Sequence, residues 1–309
     1  MKPTFSFIIV TYNNADTIGP CLRSIAAFTS DSYEAIVVDN SPDDETALAV
    51  QCVTGEQPGL PIQLVKSGQN LGFSCACNAG ARLARGELLF FLNPDTRLLN
   101  DAGRLLSDCF AQHPRAVAAG PSISNATGVV TRTCRNLPTL GRIFLDVMGL
   151  DRWLGWYKLT RFAHDVPKTV EQIIGAALLI RHSTFDTVGG MDERFFVYYE
   201  EVDLCKRLRE AGGQVWFWPR ARVQHISGTS CEADPVRAKM IYTLRESRTK
   251  YFCKHFGPFS AFAIRFINRL EGMQKALILQ ALWLVRGRSS YREKAHGFWS
   301  VAKGTAPSL

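Results

Sequence analysis

The sequence predicts an α/β protein built on a mostly parallel central sheet. Short, strongly apolar runs alternate with stretches of helical periodicity through the first hundred residues. This alternation is typical of right-handed βαβ units, which place parallel strands side by side. The 309 residues, of which 46% are hydrophobic and 21% charged, can bury a large core. Composition therefore excludes wholesale disorder, a collagen-like chain and a small disulfide scaffold.

The predicted elements follow one another in a regular order. Buried strands are expected at residues 5–10, 35–38, 62–65 and 88–92. A helix capped by Asp16 or Thr17 follows the first strand, and a helix rich in small residues is expected at 71–85, ended by Gly86. In the second half we expect a strand at 173–180, a helix from 200 to 208 ended by Gly212-Gly213, and a strand at 215–225.

Polar residues stand just past the carboxyl ends of three predicted strands. They are Thr11, Tyr12 and Asn13 after the first, Asp39 and Asn40 after the second, and Asn93 and Asp95 after the fourth. Any one group is ordinary turn chemistry. Three groups at the same edge of an open α/β sheet favour a ligand site, because this edge is where such sheets bind ligands.

The sequence lacks the common nucleotide and hydrolase motifs. It contains no Gly-x-Gly, no Gly-x4-Gly-Lys-Ser/Thr, no Gly-x-Ser-x-Gly and no His-Glu-x-x-His. Without a glycine cradle or a phosphate-binding lysine, a bound diphosphate must be neutralised in another way. Mn²⁺ or Mg²⁺ held by Asp95 is the candidate, because these cations prefer oxygen ligands and bridge phosphates.

Several segments together resemble family 2 glycosyltransferases of the GT-A fold. They are residues 9–13, 37–41, 70–73 with Asn78 and Gly80, and 92–96, and the similarity covers residues 4–230. The rhamnosyltransferase-like branch, which acts on cell-envelope lipid intermediates, is the most similar. The resemblance implies a GT-A nucleotide-diphospho-sugar transferase fold, with nucleotide-sugar contacts at Thr11, Tyr12, Asn13, Asp39, Asn40, Asn70, Gly72, Asn78 and Asn93. The segment 93–95 stands where the family has Asp-x-Asp, so the metal has one carboxylate fewer here.

A block of acids opens the predicted helix at residue 200. Glu200, Glu201 and Asp203 are more acids than the helix dipole alone calls for. The block resembles the family's Glu-Asp-Val-Asp motif, whose second acid is the general base that accepts the proton of the acceptor hydroxyl. That position is Glu201, although Glu200 and Asp203 remain alternatives. Helical spacing puts Glu200, Asp203 and Arg207 on one face, which favours them as an orienting network at the acceptor.

His225 ends the last predicted strand. A lone histidine is often structural, but the resemblance implies that His225 completes the metal shell beside Asp95. The neighbouring residues Trp216, Phe217 and Trp218 are expected to pack in the core and not to stack on a sugar.

The C-terminal part differs in charge from the rest. From residue 235 onward there are fourteen lysines and arginines against three glutamates, a net +11, which leaves −3 of the total +8 for residues 1–234. We therefore expect a catalytic domain at 1–234 and a basic amphipathic helical tail at 235–309, bound to an anionic membrane surface by salt-sensitive attraction. A helical pair packed on the catalytic domain, or a homodimer, is the alternative. Nothing in the tail is a recognised nucleic-acid motif, so no nucleic-acid partner is expected.

The expected location is cytoplasmic, at the inner face of the cytoplasmic membrane. No apolar run reaches the roughly 18–20 residues of a membrane span, and no secretory signal is evident. The scattered cysteines are expected to be reduced.

The resemblance implies that the protein transfers a sugar from a nucleotide-diphosphate donor to a hydroxyl of a lipid-linked glycan, with inversion at the anomeric carbon. The first-choice donor is dTDP-rhamnose. A nucleotidyltransferase of related fold and a catalytically inactive glycan-binding or scaffolding homologue are the rivals. Asn93 and Glu201, which depart from the family's usual residues, keep the inactive homologue open.

Overall fold

The computed structural model describes residues 2–226 and 234–306. Its strands are β1 (Phe5–Thr11), β2 (Tyr33–Asp39), β3 (Ile62–Lys66), β4 (Leu88–Leu92), β5 (Thr96–Leu98), β6 (Ala116–Ser124), β7 (Cys134–Arg135), β8 (Lys168–Val170), β9 (Gln172–Ile173), β10 (Ala177–Arg181) and β11 (Gln214–His225). Its helices are α1 (Ala15–Phe28), α2 (Glu45–Glu56), α3 (Phe73–Leu83), α4 (Ala102–Gln112), α5 (Leu140–Val147), α6 (Asp151–Leu154), α7 (His182–Thr187), α8 (Glu200–Glu210), α9 (Asp234–Arg286) and α10 (Ser289–Lys303).

The main sheet is mixed, with a parallel half. Its strands run in the order β3-β2-β1-β4-β10-β6-β11-β5, and β8 pairs with β11. The four N-terminal strands are parallel, as predicted. β10 lies antiparallel between β4 and β6, and β5 lies antiparallel to β11. The α/β prediction is confirmed, but the second half of the sheet carries antiparallel strands that periodicity did not distinguish.

The strand predicted at 173–180 is wrong as a single element. β9 ends at Ile173 and pairs with β7 in a separate two-stranded sheet, whereas β10 begins at Ala177 in the main sheet. The Ala176 carbonyl between them accepts a hydrogen bond of 3.0 Å from the Asn93 N–H. A backbone carbonyl used by a loop in this way is not available to a strand ladder, and the strand is interrupted there.

Two apolar layers cover the sheet. Phe5, Phe7 and Phe90 are fully buried on one face, with the Phe7 and Phe90 rings stacked 5.3 Å apart. On the other face α3 approaches β1 so closely that a Cβ at Gly80 would lie 2.7 Å from Ile8 Cγ2. The small residues of α3 are therefore a packing requirement. Phe217 and Trp218 are buried as well, and Trp216 is half-buried against the core, which confirms that all three pack there.

The described chain divides into two compact units. The first comprises residues 2–137, 158–196 and 200–226, and the second comprises 138–157, 197–199 and 234–306. A single boundary at 234/235 does not describe this division, because two short segments of the N-terminal part cluster with the tail. Within the second unit, α9 bends at Gly257, whose φ is 81°. Among the described helices, none is long and apolar enough to cross a membrane.

A buried ion cluster holds the second unit together around Glu271. Its carboxylate is 2.6 Å from Arg245 Nη2 and 2.6 Å from Lys275 Nζ, and it also pairs with Arg248. Glu271, Arg245 and Arg248 are all less than 10% exposed. Burial by itself raises the pKa of Glu271, but the charges of Arg248 and Arg245 outweigh it and hold the pKa well below its ordinary value. Arg245 and Arg248 therefore form buried ion pairs within this unit and are not surface charges.

Glu271→Gln is expected to destabilise the second unit by about 3–5 kcal/mol, because it leaves buried cations without their shared anion. The free energy of unfolding in urea would measure this loss. Since the pKa of Glu271 is lowered on folding, its contribution to stability is complete above the ordinary glutamate pKa of about 4.3 and is lost as the pH falls below that value.

Glu246→Gln is the matched control on the same helix. Glu246 pairs with Lys250 at 3.5 Å, and its side chain is 49% exposed, so a change within about 0.5 kcal/mol is expected. Equal losses in the two variants would contradict this account.

Candidate active site

The first two strand ends meet at a buried carboxylate. Thr11 lies opposite Asp39 in the β1–β2 register, and its Oγ1 donates a hydrogen bond of 2.9 Å to Asp39 Oδ1. The Ser41 N–H donates to the same oxygen at 3.0 Å. Asp39 is fully buried, and its Oδ2 accepts no hydrogen bond from the described part of the chain. One oxygen is therefore anchored by the protein, and the other is available to a hydrogen-bond donor from a ligand.

The loop after β1 is shaped around the same site. Asn13 has a φ of 55°, and its N–H donates to Ser41 Oγ at 2.8 Å. Tyr12 is 44% exposed, so its ring is available at the surface of this loop. A left-handed asparagine is uncommon outside turns, and here a side chain of the neighbouring loop holds it. Ser41 was missed as a site residue by sequence reasoning, although it directly follows the Asp39-Asn40 pair.

The third loop joins this group through Gly72. Asn40 Nδ2 donates to the Gly72 carbonyl at 3.3 Å, and the Gly72 N–H donates to Asn70 Oδ1 at 3.0 Å. Gly72 has a φ of 81°, and a Cβ there would lie 2.6 Å from the Phe196 ring. Only glycine fits this position. Asn40 Oδ1 is buried and finds no hydrogen-bond partner among residues 2–226 and 234–306.

Asn78 has a different role from the one predicted. Its Nδ2 donates to the Met191 carbonyl at 2.8 Å and to Glu193 at 3.0 Å, and its Oδ1 accepts from the Met191 N–H at 2.9 Å. The amide is thus committed to the turn that precedes α8. We interpret Asn78 as a residue that fixes this turn, and it is not among the side chains gathered at the strand ends.

The fourth strand end and the end of β11 bring Asp95 and His225 together. Asp95 Oδ1 lies 3.0 Å from His225 Nε2, and Asn93 Nδ2 lies 3.5 Å from the same nitrogen. The antiparallel pairing of His225 with Thr96 and a hydrogen bond from the Ile226 N–H to the Asp95 carbonyl fix this approach. Within the described ranges no group of three or more His, Cys, Asp or Glu side chains could hold a metal. An oxygen and a nitrogen donor in contact fit two positions of a metal shell whose remaining ligands come from elsewhere.

The acidic start of α8 separates its first two carboxylates. Glu200 is 5% exposed, and its Oε2 has no hydrogen-bond partner among the described residues. Burial, followed by the charge of Glu201, raises the pKa of Glu200 well above its ordinary value. Glu201 is half-buried and lies beside Gly175, where an added Cβ would be 3.4 Å from Glu201 Cβ. Gly175, which sequence reasoning missed as a site residue, is therefore a direct neighbour of this side chain.

Asp203 and Arg207 form the predicted pair on one face of α8. Arg207 Nε donates to Asp203 at 2.7 Å, and its Nη atoms donate to the carbonyls of Val188 and Gly190 at 2.6 and 2.7 Å. Asp203 is fully buried. These bonds anchor the first turns of α8 to the turn before it. Glu200 shares this face but is buried near Cys77, whose thiol pKa its charge helps to raise after burial.

Backbone links connect the two acidic parts of the site. Asn93 donates its N–H to Ala176, and the adjacent Gly175 lies beside Glu201. Residues 175 and 176 therefore contact both the Asn93–Asp95 loop and the start of α8. The two residues before Glu200, Tyr198 and Tyr199, have φ values of 67° and 70°. Such strained conformations cluster at functional sites.

Comparison with known proteins gives consistent matches. The sequence model of glycosyl transferase family 2 matches residues 6–184. The N-acetylglucosaminyl-diphospho-decaprenol L-rhamnosyltransferase of Mycobacterium tuberculosis is 30% identical over 251 residues, which are 76% of this chain and 80% of that protein. Rhamnosyltransferase WbbL of Escherichia coli is 25% identical over 230 residues, 71% of this chain and 82% of that protein.

The fold has a match among solved structures. The mannosyltransferase PcManGT of Pyrobaculum calidifontis, solved in complex with GDP-Man and Mn²⁺, superposes with a TM-score of 0.56 at 14% identity. The superposition covers 98% of this chain and 87% of that protein. At this identity the similarity concerns the fold alone, which is the GT-A fold predicted from the sequence.

Proposed function

Because the chain belongs to glycosyl transferase family 2, we propose that it transfers a hexose from a nucleotide-diphosphate donor to a hydroxyl of a lipid-linked cell-envelope glycan, with inversion. Rhamnose from dTDP-rhamnose is the first-choice donor, because two relatives are named as rhamnosyltransferases. The observation that carries the proposal is that residues 175 and 176 adjoin both the Asn93 backbone, in the loop that carries Asp95, and the side chain of Glu201.

The donor half of the proposal uses the first three loops. Asp39 Oδ2 and Asn40 Oδ1 are buried acceptors whose hydrogen bonds are not satisfied within the described chain. A nucleobase N–H or a ribose hydroxyl would satisfy them, whereas an empty site leaves their desolvation uncompensated. Thr11 and Ser41 hold Asp39 by donating hydrogen bonds to its Oδ1, and the Gly72 carbonyl holds Asn40 by accepting one from its Nδ2. Tyr12, which is exposed beside them, is suited to cover the base.

The diphosphate of the donor requires neutralisation. Asp95 and His225 would hold Mn²⁺ or Mg²⁺, with the remaining ligands supplied by phosphate oxygens and water. When bound there, the cation would stabilise negative charge on the leaving diphosphate. The Asn93 amide, 3.5 Å from His225, can orient the imidazole or donate to a phosphate oxygen.

The acceptor half assigns the general base to Glu201. Burial, followed by the charge of Glu201, raises the pKa of Glu200 well above its ordinary value, which favours its protonated form and makes Glu201 the better candidate for the base. Glu201 is also the more exposed of the two and can reach an acceptor hydroxyl. Asp203 and Arg207 orient the helix that carries it. Glu201 would take the hydroxyl proton as the oxygen attacks the anomeric carbon.

A panel of nucleotide sugars tests the proposal. Purified protein with Mn²⁺ or Mg²⁺ should release nucleoside diphosphate from one donor, faster when a polyprenyl-diphosphate-linked sugar is present. Binding of a nucleotide sugar with no turnover on any acceptor would favour an inactive homologue instead. Release of inorganic diphosphate from a nucleoside triphosphate would favour the nucleotidyltransferase.

We also propose peripheral association with the inner face of the cytoplasmic membrane through the second unit. The substrate named for the relative of M. tuberculosis is anchored to a polyprenyl lipid, and an acceptor of this kind would be met at a membrane surface. The exposed basic residues of the tail are suited to anionic headgroups. A homodimer formed by the same tail is the competing arrangement.

A further inference from the structure

The part of α9 after the bend carries a row of exposed apolar side chains. Phe259, Phe262 and Phe266 are 90%, 74% and 67% exposed, and Phe259 is the most exposed of the large apolar side chains that the structure describes. The row continues along the helix with Met273, Leu277 and Leu284, at 48%, 55% and 74%. These six residues are named the apolar stripe.

The opposite side of this helix is covered within the second unit. Ile264, Asn268 and Glu271 are buried. A Cβ at Gly272 would lie 2.8 Å from the Phe298 carbonyl oxygen and 2.8 Å from the Ala302 nitrogen, so α10 packs directly on the backbone there. At 100° per residue these positions lie across the helix from the apolar stripe. The stripe therefore remains exposed, because α10 packs on the other side of the helix.

The spacing of the stripe suits a flat surface and does not suit a left-handed coiled-coil partner. Phe262, Met273 and Leu284 are eleven residues apart, and so are Phe266 and Leu277. Eleven residues make three turns of about 3.67 residues, so the row runs nearly straight for about 39 Å. A left-handed coiled coil needs a seven-residue repeat, which here would bring Arg269 and Gln280 into the seam.

The charges around the stripe complement an anionic surface. Arg265 and Arg269 are exposed on the flank of the stripe, whereas the exposed Arg286 lies on the other side of the helix in its last turn. The sequence from 258 to 286 contains one carboxylate, Glu271, and that group is buried in its ion cluster. The exposed part of this helix therefore presents apolar and cationic side chains without an exposed anion beside them.

We propose that the apolar stripe inserts into the acyl boundary of an anionic membrane, with the helix lying in the membrane plane and its arginines at the phosphates. This inference rests on the proposed membrane association and names the surface that makes it. It also changes the expected salt dependence of membrane binding. Arg245, Arg248 and Lys275 are committed to Glu271, so fewer of the tail's cations face the lipid than the sequence count suggests. Apolar insertion should therefore dominate, and binding should largely survive high salt.

Flotation of the full-length protein with vesicles tests this surface. The vesicles are phosphatidylcholine with a quarter phosphatidylglycerol, at low salt and at 1 M NaCl. The triple variant Phe259→Gln, Phe262→Gln, Phe266→Gln is expected to partition at least about 10²-fold more weakly, because each buried phenylalanine contributes roughly tenfold or more. The control variant Leu48→Gln, Leu83→Gln, Val129→Gln changes exposed apolar residues of the first unit and should float like the wild type.

Three results would overturn the inference. Flotation of the triple variant at the wild-type level would exclude the stripe. Wild-type flotation that is abolished by 1 M NaCl would assign binding to charge alone. A wild-type dimer in sedimentation that does not float, and that the triple variant dissociates, would assign the stripe to a second copy. Nucleotide-sugar binding, measured on the same proteins, separates the two proposals. A protein that floats with vesicles but binds no nucleotide sugar contradicts the proposed function and still supports the proposed membrane-binding surface.

Discussion

Glu201→Gln is expected to lower kcat at least about 10²-fold while leaving nucleotide-sugar binding close to that of the wild type. The substitution keeps the size of the side chain and removes the proton acceptor, and general-base contributions are typically 10²–10⁴-fold. Glutamine has nearly the same shape as glutamate, so the fold should tolerate the change. Initial rates of nucleoside diphosphate release and calorimetric titration with the donor measure the two quantities.

Glu200→Gln is the matched control because it alters the adjacent carboxylate. The raised pKa of Glu200 favours its protonated form, which glutamine mimics, so kcat should change less than about tenfold. A carboxyl whose pKa is raised on folding stabilises the folded state below its unfolded value and loses this contribution as the pH rises. Glu200→Gln should therefore raise the Tm at pH 8 more than at pH 4. A larger kcat loss for Glu200→Gln than for Glu201→Gln would move the base to Glu200.

Glu201→Asp addresses the departure from the family's usual acid. The shorter side chain withdraws the carboxylate by about one bond length, and a misplacement of about 1 Å can cost 10²-fold in rate. If the site has adapted to glutamate, this variant should be slower than the wild type though faster than Glu201→Gln. Unchanged activity would mean that the geometry beside Gly175 tolerates both acids.

The parallel half of the sheet could be predicted because local patterns determine it. Every residue of the runs 5–10 and 88–92 is buried, and all of them except Ser6 are apolar. The Ser6 hydroxyl donates a hydrogen bond of 2.7 Å to Glu34 Oε1. The polar groups at 11–13, 39–40 and 93–95 lie where those strands end. Their meeting at one edge follows from the geometry of parallel strands alone.

Features that depend on distant partners could not be predicted. Asn78 finds its partner Met191 far along the chain, and nothing near position 78 indicates that turn. Glu271 reaches Arg248 and Arg245 across the bend at Gly257, so a count of charges along the tail overstated its available basicity. The break in the strand at 174–176 arises because Ala176 bonds to the loop at Asn93. Hydrophobicity carries no signal of such contacts.

The same limit applies to the acids of α8. Helical spacing correctly grouped Asp203 with Arg207, because a pair four residues apart is local. It also put Glu200 on that face, but the burial of Glu200 depends on its tertiary surroundings near Cys77. The raised pKa of Glu200 therefore emerges only from the packed structure.

Removal of divalent cations is expected to abolish transfer, and Asp95→Asn is expected to reproduce most of that loss. EDTA should reduce activity to background, and Mn²⁺ or Mg²⁺ should restore it, because the sequence has neither the P-loop motif nor a Gly-x-Gly cradle for the diphosphate. With Mn²⁺ present, Asp95→Asn should weaken donor binding at least about 10²-fold. In EDTA the wild type and the variant should bind the donor equally weakly, since the carboxylate then has no cation to hold.

The matched control is Asp108→Asn, which removes an exposed carboxylate of α4 and should leave both measurements unchanged. His225→Gln retains a polar side chain at the end of β11 and should weaken binding in Mn²⁺ by a smaller factor than Asp95→Asn, because a neutral ligand contributes less than an anionic one to holding a dication. The 3.0 Å approach of His225 to Asp95 makes the two losses interdependent, so the double variant should be little worse than Asp95→Asn alone. Full activity in EDTA would mean that the diphosphate is neutralised elsewhere, and losses that simply add would mean that the two side chains act independently and do not hold one cation.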